Sequence, residues 1–334
     1  MTEAAEAPDG AALRVERLRT EFRIQGAWHA AVDGISFSIA RRETLALVGE
    51  SGCGKSITAL SVMGLVPRPQ GRIAAGNILL DGTDLTKLPE AALEKLRGAR
   101  VAMIFQEPMT SLNPVMTIGA QVAEALITHQ GLSRRAAEAK ALAVLDEVKI
   151  PSATARFHEY PHQFSGGMRQ RVMIAMAIAC EPAVLLADEP TTALDVTIQA
   201  QVLGLLADLR ERHGMAMLFI THNLGVVAQI ADRVAVMYAG QIVEQATVAA
   251  IFARPAHPYT RALFAAIPRL DLPEQALASI PGRVPPLNDM PAGCRFAPRC
   301  PLARADCERP QVLAPLGDGH LARCHVATGA PVEA

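Results

Sequence analysis

Apolar and polar residues alternate along Val32-Asp33-Gly34-Ile35-Ser36-Phe37-Ser38-Ile39, the two-residue period of a strand with one buried face. Leu13–Leu47 as a whole reads as strands, and Thr44–Val48 is a short apolar run that predicts a strand buried on both faces. Ile57–Leu65 carries helical spacing, so the segment between that strand and that helix is a tight loop. Gly76–Gly82 predicts a strand closed by a turn, and Val101–Phe105 a buried strand ending at Gln106. From about Ile118 to Ile150 the chain is rich in Ala, Leu and Glu at helical spacing, which predicts a helical insertion. Beyond it come a helix over Arg169–Cys180, a strand over Ala183–Ala187, a helix over Ile198–His213 and a strand over Met215–Ile220. Strands that alternate with helices predict an α/β fold, a parallel sheet covered on both faces.

After Arg254 the periodicity fades and prolines cluster, from Pro255 to Pro301, together with four cysteines. This change predicts a separate, small and irregular C-terminal unit. Met1–Gly10 is acidic and Ala-rich, without the basic and apolar regions of a signal peptide, and residues 1–12 are expected to be disordered.

Composition narrows the partners. With 334 residues, half of them hydrophobic, the chain can bury a large core. A net charge of −1 and aromatics at 4% argue against nucleic acid as a partner. The longest apolar runs, Val172–Cys180 and Ala183–Ala187, fall far short of the ~18 residues of a membrane span. A cytosolic chain is expected, with any membrane association made through partners, and its six cysteines are not expected to form disulfides.

The predicted loop reads Gly49-Glu50-Ser51-Gly52-Cys53-Gly54-Lys55-Ser56 and fits G-x-x-x-x-G-K-[ST] at every fixed position. Its glycines let backbone amides of Ser51, Gly52, Cys53 and Gly54 turn toward a phosphate, and the following helix adds its positive end. Lys55 is expected to bridge β- and γ-phosphates and Ser56 to ligate Mg²⁺. Val184–Glu189 is an apolar strand that delivers Asp188 and Glu189 at its end. Neighbours on a strand point opposite ways, so the two carboxylates have different tasks: Asp188 at Mg²⁺, Glu189 as the base for the attacking water. Gln106 can reach the metal or the water, and His222, after the strand Met215–Ile220, the γ-phosphate. Ser165-Gly166-Gly167 opens an apolar helix with backbone N–H groups but no lysine, which is half of an anion site.

Gly49–Ser56, Gln106, Ser165–Met168, Val184–Glu189, Ala193-Leu194-Asp195 and His222 stand in the order and spacing of an ATP-binding cassette. They resemble its phosphate loop, Q-loop, signature, Walker B strand, D-loop and switch histidine, over about Leu13–Ala265. The resemblance implies a RecA-like core, an antiparallel β subdomain, and a helical subdomain at about 107–164. It implies head-to-tail pairing with a second cassette, identical or sibling, so that each ATP lies between one phosphate loop and the partner's signature. An aromatic platform for adenine is also implied; Phe22 is favoured, with Trp28 in what reads as a loop. Phe105–Pro114, Tyr160–Arg171 and His257–Leu263 are similar to the oligopeptide/dipeptide (and nickel) importer branch. Phe164 and Met168 stand where Leu and Gln are usual in cassettes, as that branch also reads. The implied assembly has two transmembrane permeases, an extracytoplasmic solute-binding protein acting indirectly, and a place on the cytoplasmic face of the cell membrane. A nickel or other small-solute importer, or a soluble cassette acting on DNA or ribosomes, is the alternative.

Residues 266–334 hold Cys294-x5-Cys300-x6-Cys307-x16-Cys324 in a proline- and arginine-rich segment with little apolar sequence. A metal staple suits such a segment, although no C-x2-C pair is present. The peptide-importer resemblance implies a [4Fe–4S] cluster on these four thiolates. Zinc, a Cys3His set with His325, and four plain thiols are the alternatives. Arg295, Arg299, Arg304 and Arg323 would offset thiolate charge. With the tail taken as primary, a third class of function is a redox or iron sensor that binds ATP.

Overall fold

The computed structural model describes residues 10–107, 111–192, 194–266 and 279–329. Of the expected disordered N-terminus, residues 1–9 lie outside that description, while Ala11 and Ala12 already belong to the first strand. Pro108–Thr110, Ala193, Pro268 and Pro273 also lie outside it.

The chain opens with strands β1 (Ala11–Ile24) and β2 (Ala27–Ala40), joined at Gln25-Gly26, then β3 (Thr44–Val48) and helix α1 (Lys55–Val62). β4 (Gly71–Leu80), β5 (Thr83–Asp84), α2 (Glu90–Leu96) and β6 (Val101–Ile104) follow. Next come α3 (Ile118–Gln130), α4 (Arg134–Glu147), α5 (Ala153–Arg156), α6 (Gly166–Ile178), β7 (Val184–Asp188), α7 (Val196–His213) and β8 (Ala216–Thr221). The remainder is α8 (Leu224–Ile230), β9 (Arg233–Tyr238), β10 (Gln241–Thr247), α9 (Val248–Ala253), α10 (Pro258–Ala265), β11 (Ala314–Gly317), β12 (His320–Ala322) and α11 (His325–Thr328).

Two compact units share these elements. The first contains residues 79–220 with short pieces of the N-terminal strands. In it β6, β7 and β8 are parallel, with Ile104 opposite Ala187 and Asp188 opposite Ile220. β7 and β8 are buried at every position, as strands covered on both faces must be. The expected helical insertion is here two helices: α3 ends at Gly131 in the left-handed conformation and α4 starts at the Ser133 cap. Both pack against α6.

The second unit contains residues 14–37, 44–78 and 221–334. β3 runs parallel to β9, β9 turns at Ala239-Gly240 into antiparallel β10, and β12 pairs with β10 on one side and β11 on the other. The cysteine- and proline-rich segment is therefore not a body of its own. It supplies two sheet strands, and its Phe296 is buried in one apolar cluster with Val48, Tyr238 and Tyr259. The expectation of a separate unit failed because strands of four and three residues leave no visible period.

Candidate functional site

β3 ends at Val48 and the chain enters the Gly49–Ser56 loop. Gly49 is required by space, since a Cβ there would stand 2.1 Å from the Met237 carbonyl oxygen. Gly52 and Gly54 have φ of 79 and 107, left-handed values that glycine adopts without cost, and Gly54 is the N-cap of α1. The helix accordingly begins at Lys55, two residues before the apolar period predicts. Lys55 is buried, and its ammonium donates to the carbonyl oxygens of Gly49 (2.8 Å) and Glu50 (3.0 Å). Cys53 is buried, which pushes its thiol pKa up, so it is inert packing beneath the loop. Ser51 and Gly52 are exposed and Ser56 is half-buried in the first helical turn. A buried ammonium inside a loop of left-handed glycines, at a helix start, is a donor set fitted to a polyphosphate.

Three contacts to this loop were not legible in the sequence. Glu50 donates its N–H to the Tyr259 hydroxyl (2.9 Å), and its carboxylate accepts from both Nη atoms of Arg299 (2.7 and 3.1 Å). Gly240 donates its N–H to the Cys53 carbonyl (2.8 Å). His222 belongs to the same unit, exposed just after β8 and before the Asn223 cap of α8.

In the first unit Asp188 ends β7, 4% exposed. Glu189 has left the strand with φ 47, an uncommon conformation for a residue with a Cβ. The two carboxylates do occupy different surroundings, but a backbone flip rather than strand alternation separates them. The Glu189 N–H donates to the Ile220 carbonyl (2.9 Å), which holds the flip in place. Thr192 Oγ1 (3.0 Å) and Gln106 Nε2 (3.4 Å) both donate to Glu189 Oε2, so the structure brings Gln106 and Glu189 together. β6 stops at Ile104, and Phe105, expected in the strand, is 41% exposed.

Ser165 caps α6, its hydroxyl accepting from the Met168 N–H (3.4 Å). The helix thus starts at Gly166 rather than Arg169: the cap outweighs the poor helix propensity of two glycines. Ser165 and Gly166 are exposed, while a Cβ on Gly167 would come within 2.7 Å of Ile198 Cγ2. Phe164 is buried and anchors this turn. The Asp195 carboxylate caps α7 by accepting from the Ile198 N–H (2.9 Å).

Phe22 lies on β1 beside Gly71, where an added Cβ would meet its ring at 2.9 Å. Trp28, expected in a loop, lies on β2, and the Arg72 guanidinium stacks over its ring at 4.1 Å. Both aromatics belong to the second unit.

The four tail cysteines are free thiols. Burial, with the neighbouring Cys307 and Cys324, pushes Cys294 up to about 11, and burial raises Cys300 as well. Backbone N–H groups of Leu302 and Arg304 donate to the sulfurs of Cys300 and Cys307 (both 3.4 Å). Among the described residues no three His, Cys, Asp or Glu side chains stand together as a metal-holding group. Three of the four guanidiniums expected to offset thiolates are engaged elsewhere, and Arg304 is exposed. Arg295 donates to Asp33 and the Ala239 carbonyl, Arg299 to Glu50, and Arg323 to the Ile242 and Gln311 carbonyls. His325 Nδ1 lies 2.8 Å from the Gln311 amide oxygen. No helix among the described residues is long and apolar enough to cross a membrane.

The ABC transporter family model matches residues 32–192, and the model of the oligopeptide/dipeptide transporter C-terminal region matches residues 243–307. A protein of Brucella abortus (strain 2308), named as a peptide import ATP-binding protein, is 50% identical over 93% of this chain and 94% of its own length. The dipeptide transport ATP-binding protein DppD of Bacillus subtilis (strain 168) is 50% identical over 89% of both chains. Among solved structures, the ATP-binding cassette MJ0796, in a dimeric post-hydrolysis state bound to ADP and Pi, is similar at 25% identity. It has a TM-score of 0.64 and covers 71% of this chain and 98% of its own.

Proposed function

The chain belongs to the ABC transporter family and is an ATPase of that family; from that premise we propose that it energises uptake of di- or oligopeptides through partner permeases. The observation that carries the chemistry is the Glu189 carboxylate, flipped out of β7 and held by Gln106 and Thr192. Lys55 and the loop amides bind the β- and γ-phosphates. Ser56, Asp188 and Gln106 are the residues that would hold Mg²⁺, which supplies charge neutralisation on the phosphate oxygens when bound. Glu189 takes the proton of the attacking water and Gln106 orients it, while His222 contacts the γ-phosphate. Phe22 stacks on adenine.

The exposed Ser165-Gly166 turn at the start of α6, with Gly167 and Asp195, serves the nucleotide of a second cassette. That arrangement needs a dimer, with an identical or a sibling subunit, carried on two permeases at the cytoplasmic face of the cell membrane. The peptide class is supported by the names of the relatives and by the matched C-terminal region. In cells lacking this chain, the wild type should restore uptake of a labelled dipeptide, whereas Glu189→Gln should not, while still binding ATP. Restored uptake of nickel without peptide would replace the substrate class.

We further propose that Cys294, Cys300, Cys307 and Cys324 take a metal, a [4Fe–4S] cluster in preference to zinc. The two N–H···S bonds, which suit a thiolate at Cys300 and Cys307, support the reading. The thiols must lose their protons to bind, and loading has to draw them into one set, since no three of them stand together as a metal-holding group among the described residues. Protein purified anaerobically should carry about four irons and four sulfides per chain; protein without iron, sulfide or zinc would return the thiols to packing.

A further inference from the structure

The phosphate loop carries an acid at its second position. A carboxylate there is adverse in a loop that wraps a polyanion, because the like charges repel. The structure answers that charge from the far end of the sequence. Arg299, 249 residues after Glu50, closes a two-pronged grip on it, and Arg299 is only 6% exposed. The guanidinium is itself held: Nε donates to the Pro281 carbonyl (2.8 Å), Nη2 to the Ile280 carbonyl (3.2 Å) and Nη1 to the Tyr238 hydroxyl (3.3 Å). Its position is therefore fixed by groups other than Glu50, as a clamp requires. The backbone of Glu50 is the same segment on which Lys55 and Tyr259 converge. All of these residues lie in one unit.

We infer that Arg299 is a positioning residue for nucleotide binding, holding Glu50 neutralised and fixed so that the Gly49–Ser56 loop can accept a triphosphate. The inference rests on the reading of that loop as the ATP site. It assigns the C-terminal segment a direct part in the ATP cycle, through a side chain next to Cys300. Without the grip, the Glu50 carboxylate is released beside the phosphates and the loop loses one of its anchors.

The full-length chain tests this by titration calorimetry with ATP, alongside steady-state ATPase kinetics and thermal melts. Arg299→Ala should raise the Kd for ATP about tenfold, and KM in step, with kcat kept within about twofold. Arg299→Lys, which keeps the charge but not the fork, should fall between. The decisive variant is the double change Arg299→Ala with Glu50→Gln, which should return ATP affinity to within about threefold of wild type. A brace that served stability alone would not be rescued by altering its partner. An ATP Kd for Arg299→Ala within twofold of wild type overturns the inference, as does a double variant no tighter than the single one. If Arg299→Ala does not fold, Arg299→Lys decides, and an unchanged Kd there is the overturning result. Failure of the wild type to bind ATP would count instead against the ATP-site reading.

Discussion

His257 shows how much a single buried ring commits this chain to neutral pH. It is 1% exposed, caps α10, and accepts from the Tyr259 N–H through Nδ1 (3.1 Å), so it must be uncharged there. Burial, with the positive charges of Arg323 and Arg261, brings its pKa down to about 3 from an ordinary 6.5. The folded state therefore refuses a proton that the unfolded chain accepts below pH 6.5. The stability this neutral ring contributes is complete above about pH 6.5 and is lost as the pH falls toward 3. The slope there approaches about 1.4 kcal/mol per pH unit. Between pH 7 and pH 5 the wild type should lose about 2 kcal/mol that His257→Asn, which can still cap the helix, does not lose. Urea unfolding of both proteins at the two pH values measures the difference. Equal losses in the two proteins would place the acid sensitivity elsewhere.

At the scale of elements, legibility in the sequence followed burial. β3 is read from the sequence over the residues it occupies, because five consecutive buried positions leave a plain apolar run. Helix starts shifted by two or three residues at Gly54 and Ser165, where a left-handed glycine and a capping hydroxyl, rather than the apolar period, set the first turn. The β9–β10 hairpin was not read, although Arg233–Tyr238 and Gln241–Thr247 flank an Ala239-Gly240 turn and supply the β-branched residues a strand uses. The loop and both carboxylates were legible as motifs, since their spacing is local. Nothing local could announce that Glu50 meets Arg299, or that Glu244, a charge at the centre of β10, is fully buried. Glu244 accepts from the N–H groups of Ala256 (2.7 Å) and His257 (2.8 Å) and faces His320 Nε2 (2.7 Å). Such partners lie 12 to 249 residues apart and are set by the fold.

For the whole molecule, these long-range pairs decide whether the C-terminal segment can be removed. An independent unit would come off and leave the ATP site intact. Here β12 covers an edge of β10, and Phe296 fills the cluster shared with Val48 at the entrance to the phosphate loop. Removing Phe296 alone should cost about 3–5 kcal/mol as a large buried ring. Stripping His320 from the buried Glu244 removes one of the three hydrogen-bond partners of that carboxylate, at a cost of about 1–3 kcal/mol more. Loss of Arg299 would leave Glu50 without its guanidinium partner, and loss of Arg295 would leave Asp33 with Arg19 alone. These losses are comparable to the whole stability of an ordinary domain, about 5–15 kcal/mol. A chain ended after Ala266 should therefore be insoluble, or melt at least about 10 °C below the full chain and bind no ATP. A soluble truncated protein that melted like the full chain and kept its ATP affinity would make the segment an appendage and remove the physical basis for linking it to the loop.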